Sequence, residues 1–297
     1  MTGHSVGVLT HPEKPAALDA ARQLTAFLER RGVRVLARSI VADCLPAEQC
    51  EHAPDEEIAR ADFVVVFGGD GTLLAAARLV APYGTPLLGI HLGHFGFLTE
   101  AAPEQLTQAV EQVLEGRATI EERLMLRATV QRADKSQPPL ELSAVNDIVA
   151  ASRAVRMIHV RAQIGEQTVT TYAADGVIVA SPTGSTGYSL SAGGPLVHPA
   201  APVLIVTPIC PHTLSARTLI VPDTETVHLT IEGQTRDEAV VSVDGQHDVP
   251  LRPGDRVSVT RAVCNVKILS VGGPNFYQKI RSRWHLGERE TRPTDGP

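Results

Sequence analysis

The first third of the chain alternates short apolar runs with segments whose apolar residues recur at helical spacing. Ser5-Val6-Gly7-Val8-Leu9 predicts a short buried strand. Over residues 16–31, Ala17, Ala21, Leu24 and Leu28 share one helical face, with Pro15 near its start and Gly32 just past its end. Val33 to Ala37 predicts a second strand, Phe63-Val64-Val65-Val66-Phe67 a third, and Pro86-Leu87-Leu88-Gly89-Ile90 a fourth. The unbroken third run suits a parallel strand covered on both faces. Pro103 opens a helix carrying Leu106, Ala109, Val110, Val113 and Leu114 on one side, and Gly116 closes it. This is a βα succession around a parallel sheet.

After about residue 117 the period changes from helical to the alternation of strands. Leu126, Ala128 and Val130 alternate with polar neighbours, as do Val227, Leu229 and Ile231, and then Val257 and Val259. Turns are marked at Ile164-Gly165, Glu232-Gly233 and Asp244-Gly245. The expected architecture is an α/β N-terminal domain with a parallel Rossmann-like sheet (residues 1–118) and a mostly antiparallel β C-terminal domain (119–272). Residues 273–297 are expected to pack back on the α/β domain, with Phe276, Ile280 and Trp284 on one helical face, and to end in a frayed tail over 287–297. No internal repeat is present.

Composition narrows the possibilities without naming a chemistry. The 297 residues are 43% hydrophobic and 20% charged, which suits a folded globular chain of about two domains. Cys44, Cys50, Cys210 and Cys264 are too few and too irregularly spaced for a disulfide framework. No apolar run is long enough for a transmembrane helix and no secretory signal is visible, so the expected address is cytoplasmic, with no membrane partner. A net charge of −6 argues against a nucleic-acid partner. The basic residues are 23 arginines against 4 lysines, which reads as genome composition.

Gly68-Gly69-Asp70-Gly71-Thr72 lies between the third strand and the apolar stretch Leu73 to Val80. A strand, a glycine loop and a helix start make an anion cradle, in which backbone N–H groups and the helix dipole face phosphate oxygens. Gly68, Gly69, Gly71 and Thr72 are its candidate phosphate or ATP contacts. Asp70 in its middle repels phosphate; it is either a turn and capping residue or a group with a chemical task, such as proton abstraction or metal contact. Neither a P-loop nor the dehydrogenase glycine fingerprint is present. A second glycine segment, Gly89 to Glu100, follows the fourth strand and faces the same crevice. His91 and His94 lack further ligands for a zinc set, and Phe95 and Phe97 read as packing or stacking groups.

Two later stretches are too polar for plain strands. Asn146-Asp147 sits within the apolar run Ala144-Val145…Ile148-Val149, where a buried amide and carboxylate need partners, from a ligand or from a satisfied turn or bulge. From Asp175 to Pro195 a strand runs into a dense turn of hydroxyls and glycines that suits a nucleotide's ribose and phosphates. Together with Pro208 to Arg217 and Val243-Asp244-Gly245-Gln246, these segments resemble the NAD kinase family over nearly the whole chain. The aspartate loop alone also resembles those of phosphofructokinases and of diacylglycerol or sphingosine kinases; Ser181-Pro182-Thr183-Gly184-Ser185-Thr186-Gly187-Tyr188-Ser189 is the specific part.

The resemblance implies transfer of a phosphoryl group from ATP to the 2′-hydroxyl of the adenosine ribose of NAD, giving NADP. It implies Asp70 as general base and Mg²⁺ or another divalent cation accompanying ATP, with no side chain assigned as metal ligand. For the dinucleotide it implies Asp70, Gly71, Asn146, Asp147, Arg156, Ala173, Asp175, Thr186, Gly187, Tyr188, Ser189, Leu190, Ser191 and Gln246. It further implies a homodimer or homotetramer, to which the aliphatic β surface beyond residue 196 would contribute. Asp147 stands where Glu is frequent, His91 where Asn is, Gly187 where Ala is, and Ala173 where some bacterial members bear Arg. The alternatives are a non-catalytic NAD(P)(H) sensor, or a diacylglycerol- or sphingosine-type lipid kinase.

Overall fold

The computed structural model describes residues 4–10, 13–46, 49–93, 95–135, 137–154, 156–233 and 239–284; His94 and the tail 287–297 lie outside them. The chain begins with β1 (Ser5–Thr10), α1 (Pro15–Glu29), β2 (Arg34–Ala37), α2 (Ser39–Ala42), β3 (Glu51–His52), α3 (Asp55–Ala59), β4 (Phe63–Phe67), α4 (Asp70–Val80), β5 (Leu87–Ile90) and α5 (Leu106–Leu114). Pro15 occupies the first turn of α1, and Gly32 follows the helix at φ +68°, a left-handed conformation that glycine adopts without strain. Strands β3-β2-β1-β4-β5 pair in parallel, so the order reverses between β1 and β4. In open α/β sheets ligands bind beyond the carboxyl ends at such a reversal. All five residues of β4 are buried, with Phe63, Val65 and Phe67 in one apolar layer and Val64 and Val66 in the other. That two-sided burial is why the run is uninterrupted.

From residue 119 the chain is strand-rich: β6 (Thr119–Gln131), β7 (Leu140–Ala144), β8 (Asp147–Ser152), β9 (Ile158–Ile164), β10 (Gln167–Ala174) and β11 (Gly176–Ala180). The short helix α6 (Tyr188–Ser191) precedes β12 (Val203–Ile209), β13 (Leu219–Pro222), β14 (Val227–Glu232), β15 (Ala239–Val243), β16 (His247–Leu251), β17 (Arg256–Ser270) and α7 (Phe276–Trp284). A six-stranded antiparallel sheet, β13-β12-β11-β8-β15-β16, packs through a shared core on β6, β9, β10, β14 and β17. The second layer is continuous with the parallel sheet, giving eleven strands among the described residues. The link is β17, which pairs antiparallel with β14 and β6 and then reaches β5 in parallel register, Ile268 opposite Leu87. Its break in register between Arg261 and Asn265 lets one strand serve both regions.

The β15–β16 hairpin joins the two regions by side chains as well. Asp244 (φ +50°) and Gly245 (φ +64°) form its left-handed turn, closed by the Gln246 N–H on the Val243 carbonyl. The Asp244 carboxylate, fully buried, accepts hydrogen bonds from the backbone N–H groups of Val145, Asn146 and Asp147 and pairs with Arg78 of α4. Gln246 accepts from the same guanidinium at 2.6 Å and donates to the Gly71 carbonyl at 2.7 Å. Replacing Asp244 by alanine leaves three backbone N–H groups without this acceptor and Arg78 without its carboxylate, with Gln246 as the guanidinium's remaining partner. We expect Asp244→Ala to lower the unfolding free energy by about 3–5 kcal/mol. Urea denaturation measures this, and a loss under about 1 kcal/mol would show that the hub is dispensable.

Candidate functional site

Asp70 is the first residue of α4, and Gly69 before it is extended. Its side chain makes no cap on its own helix. Instead the carboxylate crosses to the second glycine segment: Oδ2 accepts the Phe97 N–H at 3.0 Å and Oδ1 the Leu98 N–H at 3.1 Å. Gly96 lies so close to the Asp70 carboxylate that a Cβ there would collide with it. The carboxylate thus binds the backbone of the second glycine segment and not the N–H groups of its own helix. Gly68 is closed over by the Thr72 side chain, whereas Gly69 and Gly71 are exposed. His91 bonds the Gly93 carbonyl through Nδ1 at 2.8 Å and meets the Phe95 ring edge-on. Phe97 faces Phe276 of α7.

The opposite wall is built at the start of β8. Asn146 lies at the corner before the strand and Asp147 is its first residue, paired with Ala180, rather than both lying inside a strand. Asp244, which accepts their N–H groups, makes the corner. Gly184 sits against the Asn146 carbonyl with no room for a side chain, and Gly187 faces Asn146 Nδ2 and Asp147 Oδ2. Asp147 is 5% exposed, and burial, aided by the Asp244 charge, pushes its carboxyl up to about 7. The Tyr188 hydroxyl is pushed up by burial and then by the charges of Cys210, Asp175 and Asp147.

The hydroxyl-rich turn divides into inward and outward groups. Ser181 donates to the Val145 carbonyl at 2.6 Å, Ser185 to the Val197 carbonyl at 3.1 Å, and Ser189 is buried against Thr207 at 3.0 Å. Gly187, Tyr188 and Ser191 reach the surface, Leu190 is half-buried, and Thr186 bonds back to the Thr183 carbonyl. Ala173, the last residue but one of β10, lies opposite His159, and Arg156 lies exposed just before β9, so both fall at one end of the β9–β10 hairpin, near Asp175. A narrow pocket brings Phe97 together with Pro182, Thr183 and Thr186, joining the Asp70 segment to this turn. The buried Thr183 hydroxyl has no partner and borders that space. Next to it an open cleft of about 410 Å³ is lined by Phe95, Phe97, Lys279 and Arg283. Among the described residues no three His, Cys, Asp or Glu side chains gather as a metal ligand set.

Lys279 and Arg78 carry no signal in the sequence. Lys279 and Glu100 form a buried pair at 3.0 Å beside the Phe97 segment, yet a lysine in an amphipathic end helix reads as a solvated charge. Arg78 likewise falls on a face that periodicity leaves to solvent.

Two family models match the chain: the ATP-NAD kinase N-terminal domain over residues 6–118 and the ATP-NAD kinase C-terminal domain over residues 145–271. The NAD kinase of Moorella thermoacetica is 45% identical over 95% of this chain and 89% of its own length. That of Heliobacterium modesticaldum is 42% identical over 95% of this chain and 99% of its own. Among solved structures, yeast NADH kinase complexed with NADH superposes with a TM-score of 0.88 at 26% identity, covering 98% of this chain and 90% of that one. An NAD kinase from Archaeoglobus fulgidus in complex with ATP gives 0.74 at 26% identity, over 94% of this chain and 99% of that one.

The raised Asp147 carboxyl has a consequence for stability. A folded-state pKa above the unfolded value means that the contribution is complete in acid and is lost as pH rises through about 7. Asp147→Asn removes that penalty. Its melting temperature should match that of the parent below about pH 4, the ordinary carboxyl value being 3.8, and exceed it by a margin that grows up to about pH 7 and reaches at least about 2–4 °C near pH 8. Thermal melts across this range measure the difference, and a gap independent of pH would contradict the buried-charge account.

Proposed function

The chain belongs to the NAD kinase family, and on that premise we propose that Asp70 is the general base in its ATP-dependent phosphorylation of NAD. The observation that carries this reading is the Asp70 carboxylate held by the Phe97 and Leu98 N–H groups beside the pocket shared with Thr183 and Thr186. Each carboxylate oxygen accepts one N–H bond and keeps a lone pair for a further partner. The 2′-hydroxyl of the adenosine ribose gives its proton to that lone pair as its oxygen bonds the γ-phosphorus; the bond to ADP breaks and ADP leaves. Phosphoryl transfer asks chiefly for positioning and charge stabilisation, which suits a carboxylate with a fixed orientation. The named relatives favour neither a non-catalytic sensor nor a lipid kinase.

The same proposal assigns the dinucleotide to Gly71, Asn146, Asp147, Asp175, the Thr186–Ser191 turn and Gln246, with Arg156 and Ala173 at its edge. Gly68, Gly69, Gly71 and Thr72 take the phosphates of ATP, so residues 1–118 supply the loop and 119–272 most of the pocket. Mg²⁺, bound as such ions are by one or two carboxylates and the substrate's phosphates, fits a site without a protein cage and supplies neutralisation of the triphosphate beside Asp70. A homodimer or homotetramer is supported by exposed Leu214 and by Ile220 on the edge strand β13. Four free cysteines support a reducing, cytoplasmic address.

Asp70→Asn keeps the shape and removes the base. NADP formation should fall by about 10²–10⁴-fold while NAD binding stays within about threefold of the parent. A coupled assay for NADP and calorimetry with NAD measure the two, and parental turnover in the variant would sink the assignment.

A further inference from the structure

We infer that Lys279, on the C-terminal helix, is a positioning residue that sets the Asp70 carboxylate through one intervening peptide unit. This rests on Asp70 as the base. Helix α7 starts from a reciprocal cap, in which Asn275 N–H donates to Gln278 Oε1 and Gln278 N–H to Asn275 Oδ1. One turn on, the Lys279 ammonium is 6% exposed and meets three acceptors: the carbonyls of Phe97 at 3.2 Å and Thr99 at 3.0 Å, and Glu100 Oε1 at 3.0 Å. Three donors face three acceptors, so its hydrogen-bonding capacity is filled. Glu100 is fixed in turn by the Ser270 hydroxyl of β17 at 3.0 Å.

The Phe97 carbonyl that accepts from Lys279 belongs to the same peptide as the Leu98 N–H that donates to Asp70. The ammonium and the carboxylate thus sit at opposite ends of one peptide dipole. A cation on the carbonyl polarises that unit, strengthens its N–H as a donor, and resists rotation of the peptide out of line. Thr99, second on the ammonium, has its hydroxyl bonded to the Gly96 N–H at 2.9 Å, which closes the turn on the other side of Asp70. A guanidinium, planar and larger, does not reproduce three convergent bonds from one nitrogen.

The test separates positioning from plain stability. Lys279→Met should lower kcat about 10- to 100-fold and leave KM for NAD and ATP within about twofold. Glu100→Gln/Lys279→Met removes the stranded buried carboxylate, so its melting temperature should recover toward that of the parent while kcat stays low. In the Asp70→Asn background, Lys279→Met should cost no more than about a further twofold, because both changes act on one group. Recovery of kcat with stability in the double variant, full additivity in the Asp70→Asn background, or an effect on KM alone would overturn the inference. If Lys279→Met fails to fold, the Glu100→Gln/Lys279→Met protein carries the same comparison. Parental turnover in Asp70→Asn itself would instead overturn the base assignment, whatever Lys279 does.

Discussion

The arrangement of the site depends on one buried carboxylate. Asp244 has no exposed side-chain surface, and three backbone N–H groups and Arg78 supply the partners that its buried carboxylate needs. Those partners come from both regions of the chain. The N–H groups turn the Val145–Asp147 corner toward the cleft; Arg78 lies two turns along the helix that Asp70 begins. Gln246, next in the hairpin, holds the Gly71 carbonyl. The wall that carries Asp147 and the helix that carries Asp70 are therefore referred to a common point. The same charge also helps to raise the Asp147 carboxyl.

That economy suits an acidic chain acting on polyanions. With a net charge of −6 and only four lysines, the protein has little diffuse positive charge for nucleotide phosphates. One of those lysines, Lys279, is buried and saturated by two carbonyls and a carboxylate. Its charge acts on backbone geometry rather than on a phosphate in solvent. In the function proposed above, local donors in the glycine loop, arginine and a cation carried by ATP take the remaining load, a reading supported by the exposure of Gly69 and Gly71.

Much of this was legible from residue patterns. Phe63 to Phe67 is the strand its apolar run predicts, Pro15 and Gly32 bracket the first helix, and the Asp-Gly turn at 244–245 closes a hairpin. Other features were not legible, for identifiable reasons. Strand β3 is two exposed polar residues, Glu51 and His52, and has no period to read. The fate of the Asp70 carboxylate is decided by backbone N–H groups, which every residue but proline possesses, so no side-chain pattern announces it. Ser181 and Ser185 look like ligand donors in sequence because a hydroxyl pointing inward and one pointing outward are spelled alike. Burial of Lys279 depends on where Glu100 lies, 179 positions away.

The last of these distances is bridged by β17. Without it β5 would be the open edge of the parallel sheet, with unpaired N–H and C=O groups next to the glycine segment that follows it. By pairing with β5 at Ile268, β17 covers that edge and brings Ser270 to the Glu100 carboxylate. Gly273, three residues on, approaches the Glu100 carbonyl so closely that no side chain fits. The chain then turns into α7 and delivers Lys279 beneath Phe97. Satisfying a sheet edge and orienting a carboxylate are thus consequences of one topological return. Helix α7 is thereby bonded to the segment whose N–H groups hold an aspartate from the first quarter of the chain.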